Sequence, residues 1–195
     1  MSKIRFYIAT TRKFIGETIF SKNVAGILSR IEFFLSSDDS ILDLGSGTCM
    51  LTHILLEKGY SVTPVDIKNK SYYPHIIPLV YNGKKLPFSN NRFDICILIA
   101  VLHHIQNPEL VLKEAVRVSK KLIIFEDIYT NTFNKYYAYV LDSILNKEFF
   151  GHTRANKNDP AWKKTFRTFG LTLLRSDYTR SWGFLQNATY YLTKT

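Results

Sequence analysis

Cysteine is scarce in this chain: of 195 residues only Cys49 and Cys96 are cysteines. No Cys-x-x-Cys or His-Glu-x-x-His pattern occurs, so neither a disulfide framework nor a common zinc signature is present, and no metal is expected. Two isolated thiols inside apolar segments read as packing residues in a reducing compartment, which points to a cytoplasmic protein. Long apolar runs are missing too. The longest, Ile95–Leu102, falls far short of the roughly 18 residues that a membrane span needs, so no span is expected. The N-terminus begins basic with Lys3 and Arg5, but Thr10-Thr11-Arg12-Lys13 interrupts any apolar stretch of a secretory signal. With 46% hydrophobic and 22% charged residues, no repeat and no low-complexity linker, the chain reads as one domain that buries its own core.

Acid is also thin, and unevenly so. The formal charge is +10. Residues 1–35 carry +4, residues 36–134 are neutral and residues 135–195 carry +6. The excess on the two ends suits either an anionic partner or a lysine-rich solvated surface, and the latter is the simpler reading.

The pattern along the chain alternates between strand and helix. Val24–Leu35 has an apolar face at three- and four-residue spacing and predicts a helix. Ser40–Leu44 predicts a strand, Thr48–Lys58 a helix closed by Gly59, Ser61–Ile67 and Ile76–Val80 two further strands, and Phe93–Val101 a central strand covered on both faces. Asn107-Pro108-Glu109 predicts a capped start for a helix running to Val118. Lys121–Phe125 follows as a strand, Phe14–Phe20 and Asn134–Leu145 as aromatic helices, Asp159–Phe169 as a helix opened by Asp-Pro, and Leu171–Tyr178 with Ala188–Thr193 as a closing pair of strands. Strands alternating with helices of about ten residues mean a largely parallel sheet in an α/β fold.

Ile41-Leu42-Asp43-Leu44-Gly45-Ser46-Gly47-Thr48 is a strand entering a Gly-x-Gly turn that opens a helix, a place where backbone can approach a ligand closely. A dinucleotide fingerprint needs a third glycine where Met50 stands, and a P-loop needs a Gly-Lys-Ser/Thr that is absent. About twenty residues on, the second strand ends at Asp66, where an acid can accept from both hydroxyls of a ribose.

Together with Leu86-Pro87-Phe88, Phe93-Asp94 and Leu102-His103-His104-Ile105, this order and spacing resembles the class I S-adenosylmethionine-dependent methyltransferases, in particular the group related to the ubiquinone and menaquinone methyltransferases. The resemblance covers roughly residues 38–128. It implies a Rossmann-like sheet of seven strands, mostly parallel with the last antiparallel. The implied organisation is an N-terminal helical cap over 1–37, a cofactor-binding core over 38–128, and acceptor-side helices with closing strands over 129–195. It implies that Gly45, Ser46 and Gly47 pass under the methionine part of S-adenosylmethionine, with Asp43 near its amino group. Asp66 would bind the ribose, Ile67 lie against adenine, Asn82 and Gly83 meet the adenine edge, and Ala100 sit beside the methionine moiety. The family usually has aspartate at position 82; the asparagine is expected to accept from the adenine amino group through its carbonyl oxygen, with weaker binding.

Methyl transfer asks the protein for in-line positioning, exclusion of water and removal of a proton. The candidates for the proton are His103, Glu126 and His152; Asp127 and Tyr129 lie nearby, and His104 is expected to orient the loop. An Asn/Asp-Pro-Pro-aromatic signature for exocyclic base amines is absent, since Ala100-Val101-Leu102-His103 stands there, and neither cysteine sits where a nucleophilic thiolate would. A small-molecule acceptor is therefore expected. Phe133, Tyr136, Tyr137, Tyr139, Phe149 and Phe150 would suit an apolar or aromatic one, and Tyr7 and Phe14 could line a lid. The alternatives are an RNA methyltransferase that grips phosphates with its basic ends, and a cofactor-binding partner subunit without catalysis.

Overall fold

The computed structural model describes residue 24, residues 26–129, 157–181 and 185–195. The chain divides into two units, Met1–Ser37 and Asp38–Thr195. In the first, residues 26–31 are helical and run into a 3-10 turn over Glu32–Phe34. The expected helices over Phe14–Phe20 and Asn134–Leu145 lie outside the described residues.

The second unit holds a sheet of seven strands: β1 (Ser40–Leu44), β2 (Ser61–Asp66), β3 (Leu79–Val80), β4 (Phe93–Ile99), β5 (Ser119–Ile128), β6 (Leu171–Ser181) and β7 (Leu185–Lys194). Their order across the sheet is β3-β2-β1-β4-β5-β7-β6. The β1, β2, β3, β4 and β5 pairings are parallel, and β7 alone runs against its neighbours β5 and β6. The helices are α1 (Met50–Glu57), α2 (Pro108–Val118) and α3 (Asp159–Thr168). This is the mostly parallel seven-stranded sheet that the resemblance implied.

Alternation along the strands decides what faces what. Leu42, Cys96, Leu122 and Leu192 are register partners across β1, β4, β5 and β7. They join the buried cluster that α2 completes with Val111, Leu112, Ala115 and Val118, and α3 with Trp162 and Phe166. Asp43, between Leu42 and Leu44, turns to the other face.

Among the departures from expectation, three have plain physical reasons. β3 is confined to Leu79–Val80: the next β2 residue that faces it, Pro64, has no N–H to give, and Ile76 N closes a turn onto the Tyr73 carbonyl at 3.0 Å. β5 runs on to Ile128, because Glu126, Asp127 and Ile128 pair with Ala188, Asn187 and Gln186 of β7 after β4 has ended. Asn107 makes no side-chain cap, whereas α3 is capped one residue before Asp159, by Asn158 Oδ1 accepting from Ala161 N at 2.9 Å.

Pro64 sits inside β2 without loss. The Val65 carbonyl turns to β1, accepting from Gly45 N, and the Asp66 carbonyl turns the other way, accepting from Tyr81 N. Pro64 therefore also faces the β3 side, where β3 has not yet begun.

The Leu86-Pro87-Phe88 stretch is held to α2 by two side chains. Glu114 accepts from Leu86 N at 2.8 Å, and Arg117 donates to the carbonyls of Leu86 and Phe88 and to Glu114. Arg117→Ala is expected to cost about 1–3 kcal/mol, read by urea unfolding; a loss below roughly 0.5 kcal/mol would show that the loop is held otherwise.

Candidate functional site

The carboxyl ends of β1, β2, β4 and β5 bring the sequence candidates together. After Leu44 the chain turns at once: Gly45 (φ 82°), Gly47 (φ 51°) and Cys49 (φ 59°) are all left-handed, so α1 begins only at Met50 and not at Thr48. The turn is pinned to β2 by Gly45 N and Ser46 N, which both donate to the Val65 carbonyl, at 2.8 and 3.1 Å. Space explains why the first glycine is one. A Cβ there would stand 2.5 Å from Val101 Cγ2, whereas a Cβ on Gly47 would meet nothing nearer than the Gly45 carbonyl at 4.0 Å. Gly45 is filled from beside it, while Gly47 opens onto free space.

Asp66, ending β2, accepts from Gly47 N at 2.8 Å through Oδ2 and from Lys68 N at 3.1 Å through Oδ1. One bond per oxygen leaves each able to accept another. Asp43 is buried beneath the turn, and Thr52 Oγ1 of α1 donates to it at 2.6 Å. Burial, opposed by that hydrogen bond and reinforced by the charge of Asp66, pushes its pKa up to about 6. Thr52 is not among the sequence candidates. Its one signal is the lone hydroxyl in the apolar run Met50-Leu51-Thr52, one turn into α1.

Ile67 is exposed, and Gly83 (φ 73°) packs toward it, its place for a Cβ lying 3.5 Å from Ile67 Cγ2. The Asn82 side chain differs from expectation. Its Oδ1 accepts from Lys84 N at 2.9 Å and Lys85 N at 3.2 Å, so the carbonyl oxygen is engaged locally and the amide NH2 is the group left to turn outward.

At the end of β4, Ala100 has φ 53°, unusual for a residue with a Cβ, and its N–H donates to the Phe125 carbonyl at 2.8 Å. A 3-10 turn over Leu102–His104 follows. Glu126 of β5, fully buried, holds this turn: Oε1 accepts from Val101 N at 3.0 Å and Leu102 N at 2.7 Å, and Oε2 meets His103 Nδ1 at 2.5 Å. His103 is buried and His104 exposed, their rings 4.0 Å apart, so the buried anchor of the loop is His103, where His104 was expected. Asp127 points to the opposite face, where it accepts from the Asn187 amide of β7. Val101 and Asn187 are additions that only the fold reveals. His152, the Phe133–Tyr139 and Phe149-Phe150 aromatics, Tyr7 and Phe14 lie outside the described residues.

Burial raises the pKa of both thiols, well above the ordinary value for Cys96, which suits packing rather than nucleophilic chemistry. Among the described residues no three His, Cys, Asp or Glu side chains gather as a metal site, and no helix is long and apolar enough to cross a membrane.

Residues 42–124 match the family model described as a methyltransferase domain. A demethylmenaquinone methyltransferase from Streptomyces griseus is 31% identical over 86 residues, 41% of this chain and 37% of that protein, so the match spans little more than a third of the relative's length. Among solved structures, the magnesium protoporphyrin IX methyltransferase of Synechocystis PCC 6803 with bound S-adenosylhomocysteine superposes with a TM-score of 0.66 at 16% identity, covering 90% of this chain and 84% of that one. A SAM-dependent methyltransferase from Methanosarcina mazei gives 0.65 at 20% identity, covering 84% and 96%.

Proposed function

We propose that this chain, which contains a class I S-adenosylmethionine-dependent methyltransferase domain, transfers a methyl group to a small apolar or aromatic acceptor in the cytoplasm. The observation that carries the proposal is the meeting of the β1 glycine turn with Asp66 at 2.8 Å, with the buried Asp43 close enough to feel the charge of Asp66. That set fits the cofactor chemically. Open space above Gly47 admits a ligand against backbone, a dihydroxy sugar matches the spare capacity of Asp66, and a cationic amino group matches a carboxylate kept out of water.

Bound there, the cofactor supplies a methyl group already activated by its sulfonium. Asp43 opposes the ammonium charge, Gly45, Ser46 and Gly47 carry the methionine part and Ala100 borders it. Asp66 accepts from the ribose, Ile67 covers the adenine face and Gly83 lies at its edge. Asn82 offers that edge a donor in place of the acceptor expected of it. His103 takes up the proton that the acceptor gives up, with Glu126 behind it. His152 is a second candidate for that proton.

A small acceptor is supported by the missing base-methylation signature and by the fate of the basic C-terminal part. There Lys157 is paired with Glu109 from outside that part, one charge fewer than the count of +6, and Lys163 and Arg175 are held by Asp159 and Asp177, which that count already includes. Calorimetric titration with S-adenosylmethionine and S-adenosylhomocysteine, with NAD as control, tests the reading. Micromolar binding of the first two, lost in Asp66→Ala, is expected; binding of NAD alone would overturn it. In a later acceptor screen, activity that collapses between low and high salt would favour RNA over a small molecule.

A further inference from the structure

We infer that Glu126 is a positioning residue that couples the cofactor loop to the proton-accepting histidine, an inference that rests on the methyltransferase reading only for its functional consequence. A wholly buried carboxylate is costly unless donors surround it, and Glu126 has three, all from one turn: Val101 N, Leu102 N and His103 Nδ1. Each of the outer two leads to a different part of the site.

Through Val101 the carboxylate reaches the glycine loop. Val101 Cγ2 and Cγ1 lie 2.5 and 2.9 Å from the place a Cβ on Gly45 would take, so the valine is packed hard against the loop's first glycine. Its β-branched side chain has little rotamer freedom and follows its backbone, and that backbone is fixed by Glu126 Oε1. The turn needs an anchor, because Ala100 just before it is held in the left-handed region. The Phe125 carbonyl bonds the chain on one side of that strained residue and Glu126 bonds it on the other.

Through His103 the same carboxylate sets a tautomer. A carboxylate only accepts, so with Oε1 taken by two backbone N–H groups and Oε2 facing the ring, an ionised Glu126 sets the proton of His103 on Nδ1. That makes Nε2 the basic atom of His103. One side chain thus holds the cofactor loop and selects which imidazole nitrogen can take a proton.

The test uses the whole chain and S-adenosylhomocysteine as the probe, with two readouts. Long-range 15N–1H NMR of histidine-labelled protein, assigned with His103→Gln, reads the tautomer; calorimetry reads affinity. In the wild type His103 is protonated at Nδ1. E126Q keeps an oxygen for the two backbone donors but presents an NH2 to Nδ1, so the proton moves to Nε2. E126A weakens S-adenosylhomocysteine at least tenfold, and E126Q recovers most of that loss. V101A weakens it in the same sense without inverting the tautomer. An unchanged tautomer in E126Q, or wild-type affinity in both E126A and V101A, overturns the inference. Should E126A not fold, E126Q and V101A still decide. A wild-type chain that binds no S-adenosylhomocysteine would sink the methyltransferase reading instead, and the tautomer would still report on Glu126 and His103.

Discussion

Asp43→Asn is expected to make the ligand-free protein more stable and its cofactor binding weaker. The carboxyl is buried, and its pKa in the folded chain is about 6 against 3.8 for the free group. A raised folded pKa means that the native state holds the proton more tightly than the unfolded chain. The contribution to stability is therefore full below about pH 4, declines as pH rises, and is lost above about pH 6. At pH 7 the ionised group burdens the fold by an amount on the order of 3 kcal/mol, at about 1.4 kcal/mol for each pH unit between the folded and free values. Asparagine has the same shape, still accepts from Thr52 Oγ1, and carries neither the buried charge nor the repulsion from Asp66. The variant should melt several degrees higher at pH 7 and show little gain at pH 4.

Binding moves the other way. An ammonium brought against Asp43 requires the ionised carboxylate, so wild-type affinity for S-adenosylhomocysteine should fall below pH 6, approaching about tenfold per pH unit. Asp43→Asn should bind at least tenfold more weakly at pH 7 and lose that pH dependence. Calorimetry from pH 5 to 8, with thermal melts at each pH, checks both halves. A variant that is neither stabilised nor impaired would remove Asp43 from the site. A charge that costs the empty fold and serves only when a cation arrives is the behaviour of a functional group rather than a structural one.

What is legible in the sequence, and what is not, follows from the range of the forces involved. β1 falls on Ser40–Leu44 as expected, because a run of five strand residues is bounded locally by Asp38-Asp39 and Gly45. The glycine turn and Asp66 are readable for the same reason, since strand, turn and helix follow one another directly. β3 is shorter than its sequence suggests. Ile76 and Ile77 have strand character, but the β2 residue that would meet them is Pro64, which has no N–H, and only the register of the fold shows that pairing. β5 outruns its expected end at Phe125, because Glu126-Asp127 has the look of a strand terminus. The partner that keeps it going, β7, comes from about 60 residues downstream, and no local pattern records that pairing. The contact of Glu126 with His103 across 23 residues is hidden likewise: each residue has evident chemistry, but their joint arrangement belongs to the fold. Asn82 is a different case. An Asn-Gly step followed by two lysines carries the mark of a side chain that bonds its own backbone, so the capture of its oxygen by Lys84 and Lys85 is within reach of the sequence.

The two glycines of the turn should fail in opposite ways when given a methyl group. In Gly45→Ala the new Cβ would lie 2.5 Å from Val101 Cγ2 at a residue whose φ is 82°, and the valine cannot withdraw without breaking its bond to Glu126. Left-handed strain and overpacking together should cost about 2–4 kcal/mol. Gly47→Ala meets no neighbour within contact distance and bears only the strain of φ 51°, about 1 kcal/mol. Its methyl group projects into the space where a ligand would lie against the turn, beside the N–H that holds Asp66. Urea unfolding should therefore separate the two variants by more than about 1 kcal/mol, with Gly45→Ala the weaker fold. Calorimetry should reverse the emphasis: Gly47→Ala, folded and nearly as stable as the wild type, should lose S-adenosylhomocysteine binding by a hundredfold or more, on the order of 3 kcal/mol. If Gly47→Ala bound as the wild type does, the ligand would not pass over this turn, and the site would have to be sought elsewhere along the carboxyl ends of the strands.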